Sequence, residues 1–189
     1  MEIFQTIWTA LTTENEALIS IIGIPFVYLE AALTIYLAIT LLNLKLDKRQ
    51  IILYIITIPT VSTITNILFS DTLKVIVNLL FTPLFTIFVL KQNFFKGILI
   101  EFLPITLLLI SQTIWVNIFN YALNISTAEI IIIPIYKIIR ACLDYSFIFI
   151  IYLLSKKFNF NITLLDNLPK RTRRILTINF ILASYYLIW

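Results

Sequence analysis

The chain has 189 residues, of which 60% are hydrophobic and only 13% charged, and it carries a net charge of +4. Soluble domains carry about 25% charged residues, so a water-soluble core is excluded and the bilayer must be the solvent. With no His, one Cys and two Gly, the chain also excludes histidine-based catalysis, an intrachain disulfide and a Gly-rich phosphate loop.

Residues 1–16 form an expected outer interfacial segment. Ile3, Phe4, Ile7, Trp8 and Leu11 recur at helical spacing, as in an amphipathic helix lying on a membrane surface. Thr13-x-x-Glu16 has the form of a capping box for the helix that follows. Apolar runs long enough to span then cover about 17–43, 51–70, 73–90, 97–123 and 130–154, with Pro25 an expected kink in the first and Pro59, Pro83, Pro104 and Pro134 inside the others. The last run, 175–189, covers about 22 Å at 1.5 Å per residue, short of a hydrocarbon core of about 30 Å. It reads as a sixth span cut short. The runs are too long, and alternate too little, for a membrane barrel. The fold class is therefore all-α: a polytopic transmembrane helix bundle over 17–189, with five full spans and a truncated sixth.

Basic residues concentrate in alternate gaps. Lys45, Lys48 and Arg49 follow the first run, Lys91 and Lys96 the third, and Lys156, Lys157, Lys170, Arg171, Arg173 and Arg174 the fifth. Loops rich in Lys and Arg stay on the cytoplasmic side, which places the N-terminus outside. The positive balance thus belongs to the loops and is no nucleic-acid signal. The cluster Lys170, Arg171, Arg173 and Arg174 reads either as a topology anchor or as a site for anionic lipid.

Ionisable side chains inside a bilayer are costly and mark functional sites. Glu30 lies near the middle of the first span. Lys137, Arg140 and Asp144 share one face of the fifth. The expected arrangement is a buried network in which Arg140 bridges Glu30 and Asp144, with Lys137 one turn outward; its alternative is a purely structural tie between helices. Glu101, close to Lys96, reads as a carboxylate snorkelling to the cytoplasmic interface.

Polar residues also crowd the outer halves of three spans. They include Thr57, Thr60, Ser62, Thr63, Thr65 and Asn66, then Ser111, Gln112, Thr113, Trp115, Asn117 and Asn120, then Tyr136, Lys137 and Arg140. Such groups face each other or water. Their asymmetry favours a cavity open to the outside over simple interhelical hydrogen bonding. The candidate ligand-binding or signalling residues are Glu30, Asn66, Gln112, Trp115, Asn117, Tyr136, Lys137, Arg140 and Asp144. No metal site, cofactor motif or nucleophile–base pair is legible.

Ile24-Pro25-Phe26-Val27-Tyr28-Leu29-Glu30, Leu44-Lys45-Leu46-Asp47-Lys48-Arg49-Gln50, Phe94-Phe95-Lys96-Gly97-Ile98-Leu99-Ile100-Glu101 and Pro134-x-Tyr136-Lys137-Ile138-Ile139-Arg140 together resemble the N-terminal membrane domain of AgrC-type bacterial sensor histidine kinases with a GHKL ATPase domain. The resemblance covers nearly the whole chain. It implies a two-component, quorum-sensing receiver in the bacterial inner membrane that takes an extracellular peptide or small molecule and forms a homodimer. The phospho-acceptor His and the ATP-binding domain would follow this chain, which is then not itself an enzyme. The alternative class is a transport component, such as the substrate-binding membrane subunit of an importer. A membrane protease needs a Cys activated by His and is excluded.

Overall fold

The computed structural model describes residues 2–69 and 71–160, and beyond them only 162, 169, 172, 175, 178 and 179. The described residues are helical, with no strand among them. The order is α1 (Glu2–Thr12), α2 (Glu16–Leu42), α3 (Lys48–Leu68), α4 (Asp71–Val89), α5 (Phe94–Ala122), α6 (Thr127–Ile132) and α7 (Pro134–Lys157). The basic cluster Lys170, Arg171, Arg173 and Arg174 lies outside the described residues, as does most of the expected run 175–189.

Among the described residues, four helices are long and apolar enough to cross a membrane: α2, α3, α5 and α7. They hold 27, 21, 29 and 24 residues, and at 1.5 Å per residue even the shortest reaches about 30 Å. Their outward faces carry large apolar side chains, such as Ile21, Leu29, Ile52 and Phe149. In lipid such faces need no cover. This is a membrane protein. Helix α4, with 19 residues, packs against both α3 and α5.

Helix α2 is the centre of the bundle and packs against α3, α5 and α7. One of its faces places Ala31, Ile35, Ala38 and Leu42 against Tyr54 of α3 and Leu99 and Ile100 of α5. The adjoining face places Leu37 and Leu41 against Leu108 of α5 and Ile148 of α7. Small residues at 31 and 38 let the helices approach closely. At the far end of α7 the chain turns through Asn159, at φ 48°, and fastens back on itself. Phe160 N donates to the Ser155 carbonyl at 2.9 Å, and Ile162 N donates to the Leu41 carbonyl at 2.7 Å. The second bond satisfies one of the carbonyls left open at the end of α2.

Helix α1 leaves Ile3, Phe4, Ile7 and Trp8 exposed as one apolar stripe while packing against α7. Two local expectations are corrected. The cap of α2 is Asn15, whose Oδ1 accepts from Leu18 N at 3.0 Å, rather than a Thr13–Glu16 box. Thr13 instead donates to the Thr9 carbonyl at 2.8 Å. Asn ranks above Thr as an N-cap, and Asn15 stands directly before the helix.

The second correction is larger. The expected span 130–154 is two helices. Ile133, at φ −98° and ψ 118°, is extended between α6 and α7. A residue before proline is pushed out of the helical region, and proline suits the first helical position, so Pro134 begins a helix instead of lying inside one. Helix α6 has its own start signal in Ser126-x-x-Glu129. Ser126 Oγ and Ser126 N both donate to Glu129 Oε2 at 2.7 Å, and Glu129 N donates to Ser126 Oγ at 3.2 Å.

These bonds, the hydroxyl first and the backbone N–H second, hold the exposed Glu129 carboxyl below its ordinary pKa of 4.5. A depressed pKa contributes stability above the ordinary value, which is lost as pH falls through the lowered one. A carboxyl-carbon NMR titration of Glu129 is expected to give a midpoint below 4.5, and Ser126→Ala to move that midpoint up. An unchanged midpoint in the variant would show that the capping box does not hold the charge.

Candidate functional site

Polar side chains meet along α7. Asp144 is only 2% exposed, and Ser111 of α5 donates its hydroxyl to Asp144 Oδ1 at 2.6 Å. One turn earlier, Arg140 Nε stands 4.0 Å from Asp144 Oδ2. That is an ion pair without a hydrogen bond, and the buried Nε has no hydrogen-bond partner. A turn further back, Lys137 Nζ donates to the Ile19 carbonyl of α2 at 3.5 Å, beside Gly23. Next to Asp144, the Tyr145 hydroxyl shares its proton between the Phe26 carbonyl at 3.1 Å and Glu30 Oε2 at 3.3 Å.

Glu30, Arg140 and Asp144 therefore do share one region of the bundle, but Arg140 does not bridge the two acids. The Glu30 carboxyl is held by Tyr145, and Arg140 pairs with Asp144, its neighbour on the same helix. Five of the other expected residues lie elsewhere. Asn66 is exposed on α3, Gln112 and Trp115 are half-buried on α5, and Asn117 donates to the Thr113 carbonyl of its own helix at 2.8 Å. Tyr136 packs edge-on against Phe119, with ring centroids 6.3 Å apart.

Glu30 also faces a cavity of about 180 Å³ between α2, α3 and α5. Helix α2 contributes Val27, Glu30, Ala31 and Thr34, a single face at helical spacing. Helix α3 contributes Tyr54, Ile58, Pro59 and Ser62, and α5 contributes Glu101 and Ile105. Of the polar residues expected to line an outward cavity, only Glu30 and Ser62 do so.

Glu101 is the main residue that sequence reasoning missed. It does not snorkel. It is 5% exposed, and its Oε1 accepts from the Tyr54 hydroxyl at 3.0 Å and from the Thr86 hydroxyl at 2.7 Å. The signal was its depth. Glu101 stands seven residues into α5, about 10 Å at 1.5 Å per residue, and a carboxylate is too short to cover that distance. Tyr145 and Tyr54 were missed because tyrosine in an apolar run reads as packing.

No protein-family model, no curated protein and no solved structure matches this chain.

Proposed function

We propose that this chain is the membrane signal-reception domain of a bacterial two-component sensor kinase, in which an extracellular peptide or small molecule shifts helix packing. What supports this is the pair of adjacent α7 residues Tyr145 and Asp144, the first bonded to Glu30 of α2 and the second to Ser111 of α5. It ties α2, α5 and α7 together where apolar packing alone would serve. Charged and polar groups kept between spans mark functional positions. A bundle joined at a few such points has discrete arrangements that a ligand can bias by binding one of them more tightly.

In this reading α4 is a further span, the stretch from 175 onward leads into the next, and the basic loops lie in the cytoplasm. The domain works as a homodimer in the bacterial inner membrane. Lys170, Arg171, Arg173 and Arg174 anchor its cytoplasmic side on anionic lipid. Catalysis belongs to a following His-bearing, ATP-binding segment.

The test is the intact mass of the native polypeptide, joined to a phosphorylation assay on native membranes. A product extending past Trp189, whose autophosphorylation responds to spent culture medium, is the expected result. Cellular accumulation of a solute that depends on this chain would overturn the reading. It would favour a transport component, for which the cavity between α2, α3 and α5 is the supporting observation.

A further inference from the structure

We infer that the cavity between α2, α3 and α5 is a binding site for a small organic ammonium ion. Two carboxyl groups from different helices face it, Glu30 of α2 and Glu101 of α5. Each has one oxygen engaged by the protein: Glu30 Oε2 by Tyr145, and Glu101 Oε1 by Tyr54 and Thr86. The second oxygen of each accepts no hydrogen bond from any described residue. Glu101 is only 5% exposed, and this oxygen opens on the cavity instead of being sealed among protein atoms. It is therefore within reach of a group that donates from inside the cavity.

The chemistry of that group follows from the rest of the wall. Among the described residues no Lys or Arg lines the cavity, so the protein offers the two acids no counter-charge there. Tyr54 has already spent its only proton on Glu101. A protonated amine brings a positive charge and up to three donors, which suits a small space bordered by two carboxyl groups. A bare metal cation needs about six or more oxygen ligands. Much of the wall is instead Val27, Ala31, Ile58 and Ile105, which suits the short hydrocarbon body of an amine. At about 180 Å³ the space is far above the roughly 30 Å³ share of one water. It is below the roughly 300 Å³ at which drug-sized pockets begin. The ligand is therefore small.

The inference rests on reading the bundle as a receiver of a small molecule and names the class of that molecule. Binding is measured without any kinase or uptake readout, so failure of the site and failure of the proposed function are separate results. The experiment takes the full chain in lipid nanodiscs and follows thermal unfolding against n-butylammonium, with n-butanol and sodium chloride as the other arms. Butylammonium is expected to raise the midpoint in a saturable way, as a ligand specific to the folded state does. Butanol, matched in shape but uncharged, is expected not to. Glu30→Gln and Glu101→Gln, each nearly isosteric, are expected to weaken apparent affinity about tenfold or more, the worth of a charged hydrogen bond. If Glu101→Gln does not fold, Glu30→Gln decides. Equal shifts with butanol, an equal shift with sodium alone, or unchanged affinity in Glu30→Gln would each overturn the proposal.

Discussion

Replacing Asp144 by Leu is expected to destabilise the bundle by about 3 kcal/mol, the low end of the cost of leaving a buried cation without its partner. The low end applies because the Arg140 side chain keeps 27% of its surface exposed while Asp144 keeps 4%. Among the described residues its guanidinium makes no ion pair with a second carboxylate. Arg140→Met in the same chain should restore most of the loss, because removing both charges leaves nothing unpaired. Ser111→Ala should cost only about 1 kcal/mol, since single interhelical hydrogen bonds in membranes are worth little more than that. Reversible unfolding in mixed micelles measures these chains together with the parent and Arg140→Met alone. If the Asp144 and Arg140 substitutions simply add, with no coupling, the two groups are not the pair that their 4.0 Å separation indicates.

The second large effect lies at the contact of α4 with α5. A Cβ built on Gly97 stands 2.5 Å from Ile87 Cγ1, closer than two carbon atoms can sit, and 3.7 Å from the Pro83 carbonyl. Ile87 is β-branched and stiff at χ1, so the contact cannot be relieved by swinging a flexible tip. Gly97→Ala is expected to cost about 1–3 kcal/mol, the usual penalty for overpacking. Gly97→Leu should prevent α4 from docking and remove most folded protein. The clash is with Cγ1, which Val retains and Ala lacks. Ile87→Ala should therefore rescue Gly97→Ala with a coupling of at least about 1 kcal/mol, and Ile87→Val should not. Equal rescue by both would place the conflict elsewhere on the helix.

Much of the architecture was legible because lipid makes the pattern simple. Long apolar runs must be helices, and α2, α3 and α5 fall close to their expected limits. Boundaries at proline were not legible. Interior prolines are tolerated in membrane helices, and Pro25, Pro59, Pro83 and Pro104 all lie within one. Only the extended Ile133 distinguishes Pro134, although Ser126-x-x-Glu129 announced a separate short helix before it. Glu30, Arg140 and Asp144 were found because charge in an apolar run is conspicuous. Their true partners were not, since Tyr145 and Ser111 carry no charge. Which helix faces which is a tertiary fact that residue spacing does not contain. Val27, Glu30, Ala31 and Thr34 could be assigned to one face, but not to the cavity shared with Tyr54 and Glu101.

The fastening at the far end of α7 has a mechanical consequence. The Ile162–Leu41 bond joins the trailing chain of one long helix to the end of another, and at 2.7 Å it has little slack. A stroke of α7 along that bond by a single residue's rise, about 1.5 Å, would stretch it beyond hydrogen-bonding reach. The latch thus couples the trailing end of α7 to the end of α2, so motion begun near Tyr145 either carries both ends together or breaks the bond between them.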